Sequence, residues 1–230
     1  MKNNQQNIFV ISLGGSIVCP DGVDIQFLKK FKKLTDEQIK KGIKLVLVVG
    51  GGRLSREYQK AAGAVSKVVD EDKDWIGIHA TRLNAHLLRT IFRNTCDPVI
   101  IDSKEKIRSL RHPITIGAGW RPGWSTDYVS VAIAKGLRAN QVIFAGKPDY
   151  VYNKDNQKFK DAKPFTILSW KDYEKLIPKK WSPGFHSPVD PVATRLAKSS
   201  GIAGIVVGGR DLKNFKDLLN GKKFKGTVIN

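Results

Sequence analysis

The sequence predicts an α/β chain, a three-layer αβα sandwich around a mainly parallel central sheet, on three observations. Aliphatic runs of strand length alternate with amphipathic runs of helical period along all 230 residues. Two strand-like runs empty directly into glycines: IFVISL into Gly14-Gly15-Ser16, and KLVLVV into Gly50-Gly51-Gly52-Arg53. No repeat or low-complexity linker interrupts the pattern, so 1–230 reads as one continuous unit.

The elements follow in order. A strand at 8–13 leads to the first glycine turn, and Pro20-Asp21-Gly22 precedes a lysine-rich amphipathic helix at 25–41, stopped by Gly42. The second strand and its glycines open a helix at Arg53. An acidic approach, 70–74, enters a helix at 75–94, with Asp74 at its N-cap and Ile76, Leu83, Leu87 and Ile91 as its apolar face. Asp97-Pro98 marks a turn before strands at 99–101 and, as ITIGAG, at 114–119. The polar loop GWRPGWSTD, 119–127, precedes a helix at 128–135. Strand 141–145 runs into GKPDYVYNKD, 146–155, and a short helix at 170–176 and a loop at 183–188 follow. Asp190-Pro191 starts a helix at 192–199. Strand 202–207, helix 212–219 and strand 226–229 close the chain.

Composition narrows the function. Hydrophobic content of 41% and a mean hydropathy of −0.28 describe a globule, with no apolar run near the roughly 18–20 residues of a membrane span. The N-terminal stretch lacks the apolar core and cleavage site of a signal peptide, which gives a cytoplasmic expectation. Cys19 and Cys96 have no CxxC spacing, so neither a disulfide framework nor a zinc site is indicated. His79, His86, His112 and His186 are scattered and read as surface or packing residues. A net charge of +19 points to nucleic acid, an anionic surface or anionic small substrates. The lysines of 29–41 and the tail read as solvated helix faces.

A strand emptying into glycines and then a helix is an anion site, because glycine admits close backbone approach and the helix start offers free N–H groups. A glycine run also serves a tight βα turn that needs positive φ; Arg53 and Arg56, about a helical turn apart, tilt the reading toward phosphate. Neither turn spells GxGxxG or a P-loop, and Gly146-Lys147 lacks the flanking residues. The loop at 119–127 reads either as a pocket wall or as an N-cap cluster whose tryptophans pack on the core.

Six motifs in order, GGS (14–16), GGGR (50–53), DWIGIHATRLNAHLL (74–88), GWRPGWSTD (119–127), PDYVYNKD (148–155) and SPVDPVATRLAK (187–198), resemble the amino acid kinase superfamily, in its uridylate kinase branch of the archaeal-like type. The resemblance spans essentially the whole chain. It implies the amino acid kinase fold, with an acceptor-binding lobe at about 1–135 and an ATP-binding lobe at about 136–230. It implies transfer of the ATP γ-phosphate to UMP, with Mg²⁺ arriving with the nucleotide, no dedicated metal cluster, and a homo-oligomer, a hexamer built from dimers. Gly14, Gly15, Ser16, Gly52, Arg56, Gly146, Tyr152 and Asp155 would contact ATP. Gly51, Asp74, Gly119, Trp120, Arg121, Pro122, Gly123, Trp124, Ser125 and Thr126 would form the UMP side. Lys147, Asp127 and Arg53 would act on the reacting phosphates. Ser12 stands where many members have a strand-1 lysine, which puts more weight on Lys147. Tyr150 stands where a glycine is usual, and Trp120 and Trp124 are bulky for an acceptor loop, where they would stack on a base or narrow the pocket. The alternatives are a same-fold kinase for another phosphate or a carboxylate, and a non-catalytic nucleotide sensor or nucleic-acid-binding regulator.

Overall fold

The computed structural model describes residues 7–180 and 187–230, so residues 183–186 of the expected loop, His186 among them, lie outside the described residues. The chain orders as β1 (Ile8–Leu13), α1 (Gly15–Val18), α2 (Ile25–Ile39), β2 (Lys44–Val49), α3 (Gly52–Val65), α4 (Asp70–Ile91), β3 (Ile114–Gly117), α5 (Thr126–Leu137), β4 (Gln141–Gly146), β5 (Val151–Tyr152), β6 (Pro164–Phe165), β7 (Ile167–Leu168), α6 (Trp170–Leu176), α7 (Pro191–Ser200), β8 (Ala203–Gly208), α8 (Leu212–Leu219) and β9 (Thr227–Ile229). Seven strands form one sheet in the order β3-β2-β1-β4-β8-β9-β7, and β5 pairs with β6 in a separate hairpin. The first five are parallel; β9 runs antiparallel to β8 and carries β7 with it. The mainly parallel sandwich is therefore as expected.

Alternation along the strands splits the core in two. Ile11, Leu13, Leu45, Leu47 and Val49 face the layer of α2, α4 and α8, where Phe31 meets Phe92 and Phe215 edge to face. Val10, Val46, Val48, Val142 and Phe144 face the layer of α5 and α7. Burial on both faces explains the unbroken aliphatic runs. Ser12 lies among the second set in register, so its side chain points at α5.

Three expectations change. The stretch at 99–101 is no strand: only Ile101 pairs, through a single bridge to Gly117, and Asp97 caps the turn by accepting the Val99 N–H at 2.8 Å. Helix α4 begins at Asp70, a turn early, so Asp74 is inside it and caps nothing. Its buried face is Ile78, Ala80, Thr81, Asn84, Ala85 and Leu88, while Leu83 is 61% exposed. Cys19 and Cys96 are both buried and unpaired. Among the described residues no helix is long and apolar enough to cross a membrane.

Candidate active site

Four neighbouring strands end in glycine at one level. Leu13 pairs with Val49 and with Ala145, so Gly14, Gly50 and Gly146 follow side by side, and Gly146 pairs with Gly208. The ladder continues into this rim: Gly50 N–H donates to Leu13 O at 3.0 Å, Gly14 N–H to Ala145 O at 2.9 Å and Gly209 N–H to Gly146 O at 2.8 Å. Gly208-Gly209 completes a rim whose other three turns were expected. Its signal, a strand running into glycine, is the same as theirs.

At the centre two backbones touch. A Cβ on Gly15 would lie 2.1 Å from Gly52 N and 2.7 Å from Gly50 O, and Gly52 adopts φ +65. Glycine here serves both close approach and a positive φ, so the tight-turn role is real alongside any phosphate role. Gly15 and Ser16 open α1 and Gly52 opens α3, where helices leave N–H donors without intrahelical partners. Gly51 packs beneath α4, its notional Cβ 3.2 Å from Ala80 Cβ. The buried Asn84 Nδ2 donates to the carbonyls of Gly50 at 2.8 Å and Gly51 at 3.1 Å, clamping the turn.

The cations divide. Lys147, exposed just past β4, has no ion pair among the described residues, and exposed Arg56 has none either. Arg53 is engaged: its Nε meets Glu57 at 2.5 Å and its Nη1 meets Asp21 at 3.1 Å. Arg53 thus faces a cleft of about 580 Å³ between α3 and α4, lined by Leu54, Leu83 and His86.

Beneath the rim lies a carboxylate pair. Ser12 Oγ donates to Asp127 Oδ1 at 2.7 Å. Desolvation first, and the negative charge of Asp190 second, push the Asp127 carboxyl up to about 7, while the Ser12 hydroxyl draws it back. Asp190 caps α7, accepting from Val192 N–H at 2.6 Å and Ala193 N–H at 3.0 Å, and it also accepts the Ser125 hydroxyl. Ser125 itself caps α5 through the Tyr128 N–H at 3.0 Å. One carboxylate therefore ties two helix starts together.

The expected acceptor residues do converge. Asp74 Oδ2 accepts the Gly123 N–H at 2.7 Å, joining α4 to the 119–127 loop, and burial raises its pKa. Thr81 Oγ1 accepts the Gly119 N–H at 2.7 Å. The tryptophans separate in role. Trp120 is buried, its Nε1 donating to Ile101 O at 3.2 Å, so it is core and cannot stack on a base. Trp124 lies 4.5 Å from the Tyr128 ring centroid, with Arg121 Cζ 3.8 Å above it. Pro122 and Thr126 complete the loop and the first turn of α5. On the far side, Tyr152 stands edge-on to Tyr150 at 6.2 Å, and Asp155 turns the chain by accepting the Gln157 N–H at 2.9 Å. Tyr150 has no positive φ, so that position does not require glycine.

Main-chain amides on adjacent parallel strand ends are what an α/β architecture offers to phosphate. The chain belongs to the amino acid kinase family, which its residues 7–208 match. It is 31% identical over 224 residues to the uridylate kinase of Thermococcus sibiricus, covering 96% of this chain and 98% of that one. To the uridylate kinase of Methanocorpusculum labreanum it is 33% identical over 224 residues, covering 96% and 94%. The crystal structure of uridylate kinase from Archaeoglobus fulgidus superposes with a TM-score of 0.82 at 28% identity, covering 97% of this chain and 100% of that one. The resemblance to the archaeal-type branch stands.

Proposed function

We propose that this chain is a uridylate kinase, moving the γ-phosphate of ATP to UMP to give UDP and ADP. One observation carries the reading: a chain matching uridylate kinases over 96% of its length brings Asp74 and the 119–127 loop together beside the glycine rim. Phosphoryl transfer asks mainly for in-line placement of two anions and cancellation of their charge. In this reading residues about 1–135 hold the acceptor and about 136–230 hold ATP. Gly14, Gly15, Ser16, Gly52 and Gly146 meet ATP phosphates through main-chain N–H groups, with Arg56 beside them. Tyr152 and Asp155 border its nucleoside. Gly51, Asp74, Gly119, Arg121, Pro122, Gly123, Trp124, Ser125 and Thr126 surround UMP, and Trp120 supports them from the core. Lys147 stabilises charge on the transferring group, and Arg53 joins it on release from Asp21 and Glu57.

Mg²⁺ fits this site. Asp127 is a hard-oxygen donor, while Asp190 is already committed to hydroxyl and amide donors. When bound with ATP the metal neutralises phosphate charge. The Asp127 carboxyl would hold it, and Ser12 orients that carboxyl.

A homo-oligomer is part of the same reading. Helix α3 buries no residue, yet Tyr58 is 63% and Val65 88% exposed. Such a stripe fits a second copy. Buried, unpaired cysteines fit a cytoplasmic setting.

The test is ADP release from Mg-ATP against UMP, CMP, GMP, dUMP, isopentenyl phosphate and no acceptor. UMP-dependent turnover, falling by about 100-fold or more in Lys147→Ala, is expected. Turnover with another acceptor would move the substrate, and silence with intact nucleotide binding would favour a sensor.

A further inference from the structure

The cationic excess gathers where two helices distant in sequence meet. Residues 25–41 carry six lysines against two acids, and residues 210–230 six cations against two acids. Helices α2 and α8 lie side by side. Lys216 Nζ meets Glu37 Oε2 at 2.7 Å and Lys41 Nζ meets Asn220 Oδ1 at 2.5 Å, both at an offset of 179 residues, so the helices run parallel and in step. Glu37 is outnumbered: Lys216 foremost, then Lys33 and Lys41, hold its carboxyl below the ordinary value.

The other acids nearby are spent. Asp24 pairs with Arg210 at 2.6 Å, Asp36 with Lys32 at 2.7 Å, and Asp211 caps α8. Asp211 and Asp217 have no ion pair among the described residues, and Asp211 is engaged as the α8 cap. Buried Asn214 fixes the turn that bears Lys222 and Lys223, accepting the Lys225 N–H at 2.6 Å and donating to Lys225 O at 2.7 Å. Lysines at helix C-termini complement the dipole, but that effect reaches only the last turn. Lys33 precedes that turn, and Lys213 sits in the first turn of α8, where the dipole opposes it.

The C-terminal ends of α2 and α8 lie away from the glycine rim, because α8 starts from the β8 end of that rim and α2, reached through α1, runs parallel to it. We propose that this α2–α8 face binds the phosphodiester backbone of nucleic acid without reading its sequence. The aromatics Phe27, Phe31 and Phe215 are buried and Phe224 is partly buried against the core, so no fully exposed aromatic offers a base-stacking platform on it. Its exposed apolar residue, Ile25, stands at the opposite end of α2, so the seam lacks the wedge a membrane surface needs.

The experiment is fluorescence anisotropy of a labelled duplex of about 20 base pairs against the full chain, over a salt series of about 50–200 mM. A log–log slope of about −4 or steeper is expected. Lys33→Gln/Lys41→Gln/Lys213→Gln/Lys223→Gln together should flatten it by about 3.6 units, and Lys223→Gln alone by about 0.9. Removing Lys60, Lys67, Lys171 and Lys179 instead should leave the slope unchanged, as should saturating ATP and UMP, with UMP-dependent turnover retained throughout. Equal flattening by the second set, displacement by the nucleotides, or tighter binding to phosphatidylserine vesicles than to the duplex would overturn it.

Discussion

Asp127 shows how one residue sets a pH dependence. Its carboxyl is pushed up to about 7 from an ordinary 3.8, so between those values the native chain holds a proton that the unfolded chain has released. Stability therefore falls as pH rises through that window; the cost is absent below about pH 4 and complete above about pH 7. Thermal melts between pH 5 and pH 8 should show the wild type losing more stability than Asp127→Asn. Parallel curves would show that the proton is not held there. Nothing near Asp127 in sequence announces this, because Ser12 lies 115 residues away and Asp190 arrives from α7. The glycines, by contrast, were readable one by one, since a strand running into glycine is a local pattern.

Helix α4 marks the boundary of what local pattern can reveal. Its apolar period pointed at Leu83, which is exposed, whereas the face turned inward carries Thr81 and Asn84. Those polar residues are buried because each satisfies backbone groups of a turn that has no strand partner, Thr81 at Gly119 and Asn84 at Gly50 and Gly51. A site that recruits polar side chains to hold loops disturbs the very periodicity from which a helix face is read. Thr81→Val keeps the shape and leaves the Gly119 N–H unpaired, a cost of about 1–3 kcal/mol. The expected consequence is a KM for UMP raised by about tenfold or more, with the KM for ATP unchanged. Equal rises in both would assign Thr81 to general stability. Strand 99–101 failed for a related reason: Asp97 and Pro98 turn the chain, leaving Ile101 a single bridge.

Across the whole molecule, the alternation of buried strands with helices made the mainly parallel sandwich legible, whereas the strand order and the short strands β5, β6 and β7 have no local signal in the sequence. Nor was the approach of Gly15 to Gly52 legible, since it joins two turns that sequence can only describe separately. Gly15→Ala should cost about 3 kcal/mol by overpacking, while Gly63→Ala, in open space within α3, should stabilise by about 0.5–1 kcal/mol. Chemical denaturation of the two variants distinguishes a structural contact from a general intolerance of alanine. Tyr58→Glu/Val65→Glu should shift the sedimentation coefficient toward monomer; an unchanged coefficient would remove α3 from the assembly surface.

The glycine rim separates grip from choice. In the proposed reading main-chain amides would hold phosphate whatever side chains surround them, whereas the acceptor would be enclosed by a loop that hangs from α4 by three bonds, Gly123 to Asp74, Gly119 to Thr81 and Arg82 to Trp120 O. Exchanging Arg121, Pro122 and Trp124, with buried Trp120, the Ser125 cap and those anchors kept, would on this proposal leave the transfer apparatus in place and change what it phosphorylates.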